Sequence, residues 1–123
     1  MAAVGTFRIR MRLQPNEDKE DAMIAIERMT QKIYPGKWAE LEEIDKRYNE
    51  VEQRAGFPPK KRLQCVMGSL DQSVLIIERQ WDSLAAMEST YEKVMADPVW
   101  QALSKEVASI VQSSQIEVFT PLP

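Results

Sequence analysis

Apolar and charged residues alternate at the start of the chain. In Thr6-Phe7-Arg8-Ile9-Arg10-Met11-Arg12-Leu13, Phe7, Ile9, Met11 and Leu13 share one parity, and Arg8, Arg10 and Arg12 the other. A strand sends successive side chains to opposite faces, so this segment reads as a strand with an apolar face and an arginine face. The period then changes. Asn16 is placed to cap a helix with Glu17 and Asp18 in its first turn, and Ala22, Ile26, Met29 and Ile33 recur at helical spacing, predicting a helix over 16–33. Tyr34-Pro35-Gly36 interrupts it, because a proline disfavours helix in the residue before it. Trp38, Leu41, Ile44, Tyr48, Val51 and Ala55 follow in steps of 3, 3, 4, 3 and 4, with Glu40, Glu42, Glu43, Lys46, Arg47 and Glu50 on the other side. That pattern predicts an amphipathic helix over about 36–55, ended by Gly56 and kept from resuming by Pro58-Pro59.

The second half repeats the plan. Leu63-Gln64-Cys65-Val66-Met67 reads as a strand, residues 68–73 as a hairpin connection, and Val74 to Trp81 as a third strand. Its opening run, Val74-Leu75-Ile76-Ile77, predicts burial on both sheet faces. Asp82 or Ser83 caps a helix with a stripe of Leu84, Met87, Tyr91 and Val94. Asp97-Pro98 restarts it with a cap followed by proline, and Val99, Leu103, Val107 and Ile110 carry the stripe to about residue 112. Gln115 to Thr120 is the last strand.

The order is β-α-(α)-β-β-α-(α)-β. Right-handed crossovers put both helical segments on one sheet face, which is the ferredoxin-like split βαβ plan with strands 1 and 3 central. The fold class is therefore α+β, with a four-stranded antiparallel sheet and extra helices. The helices suffice for one face, while the third strand is apolar on both, so a second sheet packing about a twofold axis would bury the remainder. The whole chain, 1–123, is expected to form one dimeric α/β-barrel domain, and the partner expected is a second copy of itself.

Composition narrows the chemistry. At 123 residues, with 44% hydrophobic and 28% charged residues, the chain suits one globular core. A net charge of −3 gives no basic field for nucleic acid, and no stretch has the length of apolar sequence that spans a bilayer. The start has no signal-peptide core and Cys65 is the single cysteine, so a cytoplasmic location is expected. Histidine is absent, which excludes a histidine general base, a serine–histidine or cysteine–histidine nucleophile and histidine ligation of metal or haem. No cofactor and no metal are expected.

Some local motifs carry a resemblance. Trp81-Asp82-Ser83-Leu84-Ala85-Ala86 at the exit of the third strand, Asp97-Pro98-Val99-Trp100 in the following helix, and Pro35-Gly36-Lys37 near a helix start resemble the dimeric α/β-barrel superfamily. That group includes the NIPSNAP-like proteins and the antibiotic-biosynthesis-type monooxygenases. The resemblance implies a homodimer whose sheets enclose a central cavity, with a small pocket between sheet and helices in each subunit. Many monooxygenase-like members carry a histidine in the helix after the third strand. Here Met87 and Glu88 stand in that region, so no catalytic role is carried over.

Candidate binding residues follow from the strands and the aromatics. Arg8, Arg10 and Arg12 form a stripe suited to a carboxylate or phosphate, and their structural alternative is pairing with Glu78 and Glu117. Trp38, Tyr48, Trp81, Tyr91 and Trp100 suit either a pocket for a flat molecule or the core. Cys65 alternates with Leu63 and Met67 and reads as a small core residue, and Lys60-Lys61-Arg62 reads as a solvated lead-in to a strand. Three functions remain: a dimer binding a small anionic or aromatic molecule, a cofactor-independent monooxygenase- or isomerase-like enzyme, and a protein-interaction module without a ligand.

Overall fold

The computed structural model describes residues 23–68 and 70–123. Its elements run β1 (Ala25–Ile33), α1 (Trp38–Ala55), β2 (Lys60–Gln64), β3 (Val74–Trp81), α2 (Leu84–Met95), α3 (Pro98–Glu106), a 3-10 turn (Val107–Ser109) and β4 (Val111–Phe119). The strands form one antiparallel sheet in the order β2-β3-β1-β4. This is the expected α+β, ferredoxin-like arrangement.

The first half required a correction. Residues 25–33, assigned above to a helix over 16–33, form the central strand beside β3. Ala25, Glu27, Met29, Gln31 and Ile33 are all buried, alternating with more accessible neighbours. Two of those five buried positions are polar, so the apolar residues left visible, Ala22, Ile26, Met29 and Ile33, mimic a helical period. The strand proposed at 6–13, with Arg8, Arg10 and Arg12, lies outside the described residues, and the central place given to it is held by β1.

Helix α1 matches its predicted span. Gly56 ends it at φ +90°, the left-handed conformation that glycine adopts without steric cost, and its N–H returns to the carbonyls of Glu52 and Gln53. Ser83 caps α2, its hydroxyl accepting from the Ala86 N–H at 3.0 Å, and Asp97 caps α3 by accepting from the Val99 N–H at 2.8 Å. Strand β2 lies three residues earlier than expected, so Lys60, Lys61 and Arg62 belong to it rather than leading into it. Cys65 falls beyond its end, half-buried rather than in the core, its thiol 3.4 Å from the Met67 carbonyl. Helix α3 stops at Glu106, and β4 starts at Val111 rather than 115, because Ile110 and Val111 are buried where the chain turns back under the helices.

All three helices cover one sheet face. Ala25, Met29 and Ile33 of β1, Leu75 and Trp81 of β3 and Val111 of β4 share a single core with Leu41, Ile44 and Val51 of α1, Met87, Tyr91 and Val94 of α2 and Trp100 and Leu103 of α3. The opposite face carries Ile26, Arg28, Thr30, Ile76, Glu78, Glu117 and Phe119, and among the described residues no helix lies over it. Arg28 sits directly between Glu78 and Glu117 in the register, and its Nε donates to Glu78 at 2.8 Å. Among the described residues, no helix is long and apolar enough to cross a membrane.

Candidate functional site

Between the sheet and the helices lies a cavity of about 50 Å³. One wall is apolar: Met29, Leu41, Ile44, Leu75, Ile77 and Val107. The rest of the lining is Tyr48, Tyr91, Trp100 and the buried amide of Gln31, together with four charged side chains, Asp45, Glu52, Lys60 and Arg79.

Local sequence places the charges there. Arg79 shares the parity of Leu75, Ile77 and Trp81, so β3 turns it inward, to 5% exposure. Asp45 and Glu52 extend the step Leu41–Asp45–Tyr48–Glu52 along one side of α1. Lys60 and Arg79 oppose each other directly across β2 and β3, a like-charged pairing that is unfavourable by itself. Glu52 lies between them: Arg79 Nη2 donates to its Oε1 at 2.6 Å and Lys60 Nζ at 3.2 Å. Lys60 also donates to Asp45 at 2.6 Å. The lining therefore holds two cations and two anions, paired with one another.

Aromatic rings close the space. Phe57 packs edge-on against Trp81 and Tyr91, at centroid distances of 5.3 and 5.1 Å, and the Arg79 guanidinium lies 4.8 Å over its centroid. Trp100 meets Tyr48 edge-on at 5.2 Å. Burial pushes the Tyr48 hydroxyl up to about 12, with neighbouring Ser104 opposing the shift. Behind Tyr91 lies Glu27, 1% exposed, whose Oε1 accepts from the Trp81 indole N–H at 2.9 Å and whose Oε2 accepts from the Tyr91 hydroxyl. Burial first, and then the Glu27 charge, hold the Tyr91 phenol well above its ordinary value, so it stays protonated as a donor.

On residues of this lining the Tyr48 hydroxyl is buried without a partner, and so are two groups that can only donate, Arg79 Nε and the Trp100 indole Nε1. Arg79 and Trp100 are both at least nine-tenths buried, with Trp100 at 4% exposure. An unmade hydrogen bond at such a site leaves the full desolvation cost of the donor uncompensated. A small acceptor in the cavity would relieve it.

The other residues singled out in the sequence are placed elsewhere. Trp81 is in the core and bonded to Glu27, and Trp38 packs at the core's margin; neither lines the cavity. Glu78 and Glu117 lie on the uncovered sheet face beside Arg28, while Arg8, Arg10 and Arg12 are outside the described residues. Glu27, Asp45, Glu52, Lys60 and Arg79 were missed. Parity with Trp81 was the available signal for Arg79, and the step from Tyr48 was the signal for Glu52. Among the described residues, no group of three or more carboxylates and cysteines is arranged to hold a metal ion.

The fold and cavity define a ferredoxin-like α+β protein with an internal, charge-paired pocket between sheet and helices. The sequence pattern of the NIPSNAP family matches residues 26–123, and the chain belongs to that family. Among solved structures, it resembles an uncharacterized NIPSNAP-like domain protein from Burkholderia xenovorans, with a TM-score of 0.68 at 14% identity over 82% of this chain and 87% of that one. A NIPSNAP family protein from Agrobacterium tumefaciens str. C58 is similar at 21% identity and a TM-score of 0.68, over 80% of this chain and 93% of that one. SnoaB, a cofactor-independent oxygenase from Streptomyces nogalater, is similar at 16% identity and a TM-score of 0.61, over 83% of this chain and 96% of that one. At these identities the likeness is one of fold. No curated protein matches the chain.

Proposed function

We propose that this NIPSNAP-family protein is a homodimer that binds a small molecule in the cavity between sheet and helices. The observation that carries the binding is the pair of unpartnered buried donors, Arg79 Nε and Trp100 Nε1, on the lining of one cavity. Dimerisation is supported by the uncovered sheet face. Leu63 and Phe119 are 46% and 43% exposed there, beside the half-buried Ile26 and Ile76, and a twofold-related copy would cover them. The test is native mass spectrometry of the purified protein against a panel of small aromatic and enolic compounds. Retained one-per-chain adducts, reduced in Trp100→Phe, are expected. No specific adduct from the panel, together with none carried through purification, would overturn the reading.

Catalysis is the second reading, favoured by the likeness to SnoaB and by the Tyr91–Glu27 pair on and behind the cavity lining. In that reading the protein's contribution is positioning and exclusion of water, with Arg79 and Trp100 as donors to oxygen charge developing on the ligand. Oxygen uptake by the metal-free protein with the same panel tests it, and uptake unchanged in Trp100→Phe would remove this assignment.

A further inference from the structure

We infer that the cavity selects an uncharged carbonyl group over a carboxylate, an inference that rests on the binding reading above. Charge pairing around the cavity is the first reason. Its four charged residues, Asp45, Glu52, Lys60 and Arg79, sum to zero and satisfy one another at 2.6 to 3.2 Å. Beyond the lining, Arg62 approaches Asp45 at 3.7 Å and pairs with Glu42 at 2.7 Å, which adds one charge of each sign and leaves the sum unchanged. Among the described residues, each cation on the lining is already paired with a carboxylate and the buried Glu27 lies behind Tyr91, so a ligand carboxylate would add uncompensated negative charge to a buried site, which is strongly disfavoured.

The second reason is the type of group left unsatisfied. Of the unpartnered atoms on lining residues, Arg79 Nε and Trp100 Nε1 can only donate, so the ligand must accept from them, while the Tyr48 hydroxyl can do either. A ketone oxygen has two lone pairs and no proton of its own to place.

Size is the third reason. A volume of about 50 Å³ admits roughly three or four waters, about the room a fragment like acetone takes. The apolar wall of Met29, Leu41, Ile44, Leu75 and Ile77 suits the methyl groups of such a fragment. A larger ligand would place only its carbonyl end here.

The experiment compares two probes of nearly equal size and different charge. Acetone and acetate are titrated separately, to the same millimolar concentrations, into 15N-labelled protein at pH 7. The signals read are the Trp100 indole N–H and the Arg79 Nε–H. The Trp81 indole, already bonded to Glu27, and the Trp38 indole serve as internal references. Acetone is expected to shift the Trp100 and Arg79 signals saturably while the references stay still, and acetate is expected to shift neither. Trp100→Phe keeps the ring against Tyr48 and loses one donor, so it should weaken acetone about two- to tenfold. Saturable binding of acetate at least as tight as acetone would overturn the preference while leaving the cavity a ligand site. No saturable shift with either probe would overturn the preference and the binding reading together.

Discussion

Glu52 is the residue on which the packing of α1 against the sheet turns, and Glu52→Gln is the perturbation that measures it. The substitution keeps the shape and one acceptor oxygen but removes the charge. Arg79, 5% exposed, loses its counterion at 2.6 Å. Lys60 loses one of two, retaining Asp45 at 2.6 Å. Removing one partner of a buried pair costs about 3–5 kcal/mol. The retained amide oxygen and the second anion on Lys60 place this case at the lower end, about 3 kcal/mol. Arg79→Met is milder, because Glu52 keeps Lys60 and the new side chain fills the space. Its main loss is the stacking on Phe57, worth about 0.5–2 kcal/mol. The double variant strands no charge, so its loss should be about 2 kcal/mol, well short of the sum of the singles. Urea unfolding followed by tryptophan fluorescence gives all three values, with the denaturant slope checked for constancy. At about 3–5 °C per kcal/mol for a domain of this size, Glu52→Gln alone should lower Tm by about 10 °C. Losses that add to within about 0.5 kcal/mol in the double variant would refute the argument, since they would mean that the two charges do not depend on each other.

Other measurements bear on neighbouring features. Tyr91→Phe should cost about 2–3 kcal/mol in the same urea assay, because it leaves one oxygen of the fully buried Glu27 with only Trp81 to satisfy the other; a loss under about 0.5 kcal/mol would mean water reaches that carboxylate. Asp97 is held below the ordinary carboxylate value, chiefly by the Val99 N–H, and Glu106 likewise by Arg47, so both contribute stability that is complete above their unfolded values and lost as pH falls through the folded ones. Melting temperature should therefore fall below about pH 4, and less steeply in Asp97→Asn; an unchanged slope in that variant would contradict the assignment. Sedimentation equilibrium should show a species of twice the 14.2 kDa chain mass, with Ile76→Lys on the uncovered face shifting it toward monomer. A single 14.2 kDa species of the parent at all micromolar concentrations would remove the barrel.

What the sequence disclosed follows the physics of each segment. Helix α1 was readable because its buried stripe is apolar and its end has Gly56 and two prolines. Strand β3 was readable because four successive apolar residues leave no helical alternative of that length between turn residues. Strand β1 was not, because Glu27 and Gln31 occupy its buried face, and a period-2 pattern written partly in polar residues disappears from a hydrophobicity reading. The pairing expected for Glu78 and Glu117 was with Arg8, Arg10 and Arg12, which lie outside the described residues, and the arginine found between the two carboxylates is Arg28, which the sequence reading placed in a helix. The cavity's charged residues were hidden for a related reason. Asp45, Glu52, Lys60 and Arg79 belong to runs of charge that look like wet surface, and only the pairing of α1 with the β2–β3 hairpin turns four solvated side chains into one internal network.

That network also explains why the cavity exists at this end of the fold. Strand β2 is at the sheet edge, short, and contributes little apolar area, with Leu63 46% exposed. Apolar packing alone would give α1 no reason to extend over it. Lys60 and Arg79 meet across the β2–β3 pair, and their mutual repulsion is relieved only where a carboxylate reaches both. Glu52 does so from α1, and Asp45, two turns earlier on the same side, holds Lys60 again. The helix is thereby drawn over the edge strand at a fixed rotation. Salt bridges of this length need more room than interdigitated leucines, so the space they span is not filled by apolar side chains. The pocket thus lies where charge pairs join α1 to the sheet beside its packed stripe of Leu41, Ile44 and Val51, and the same pairing leaves the charges on its lining balanced.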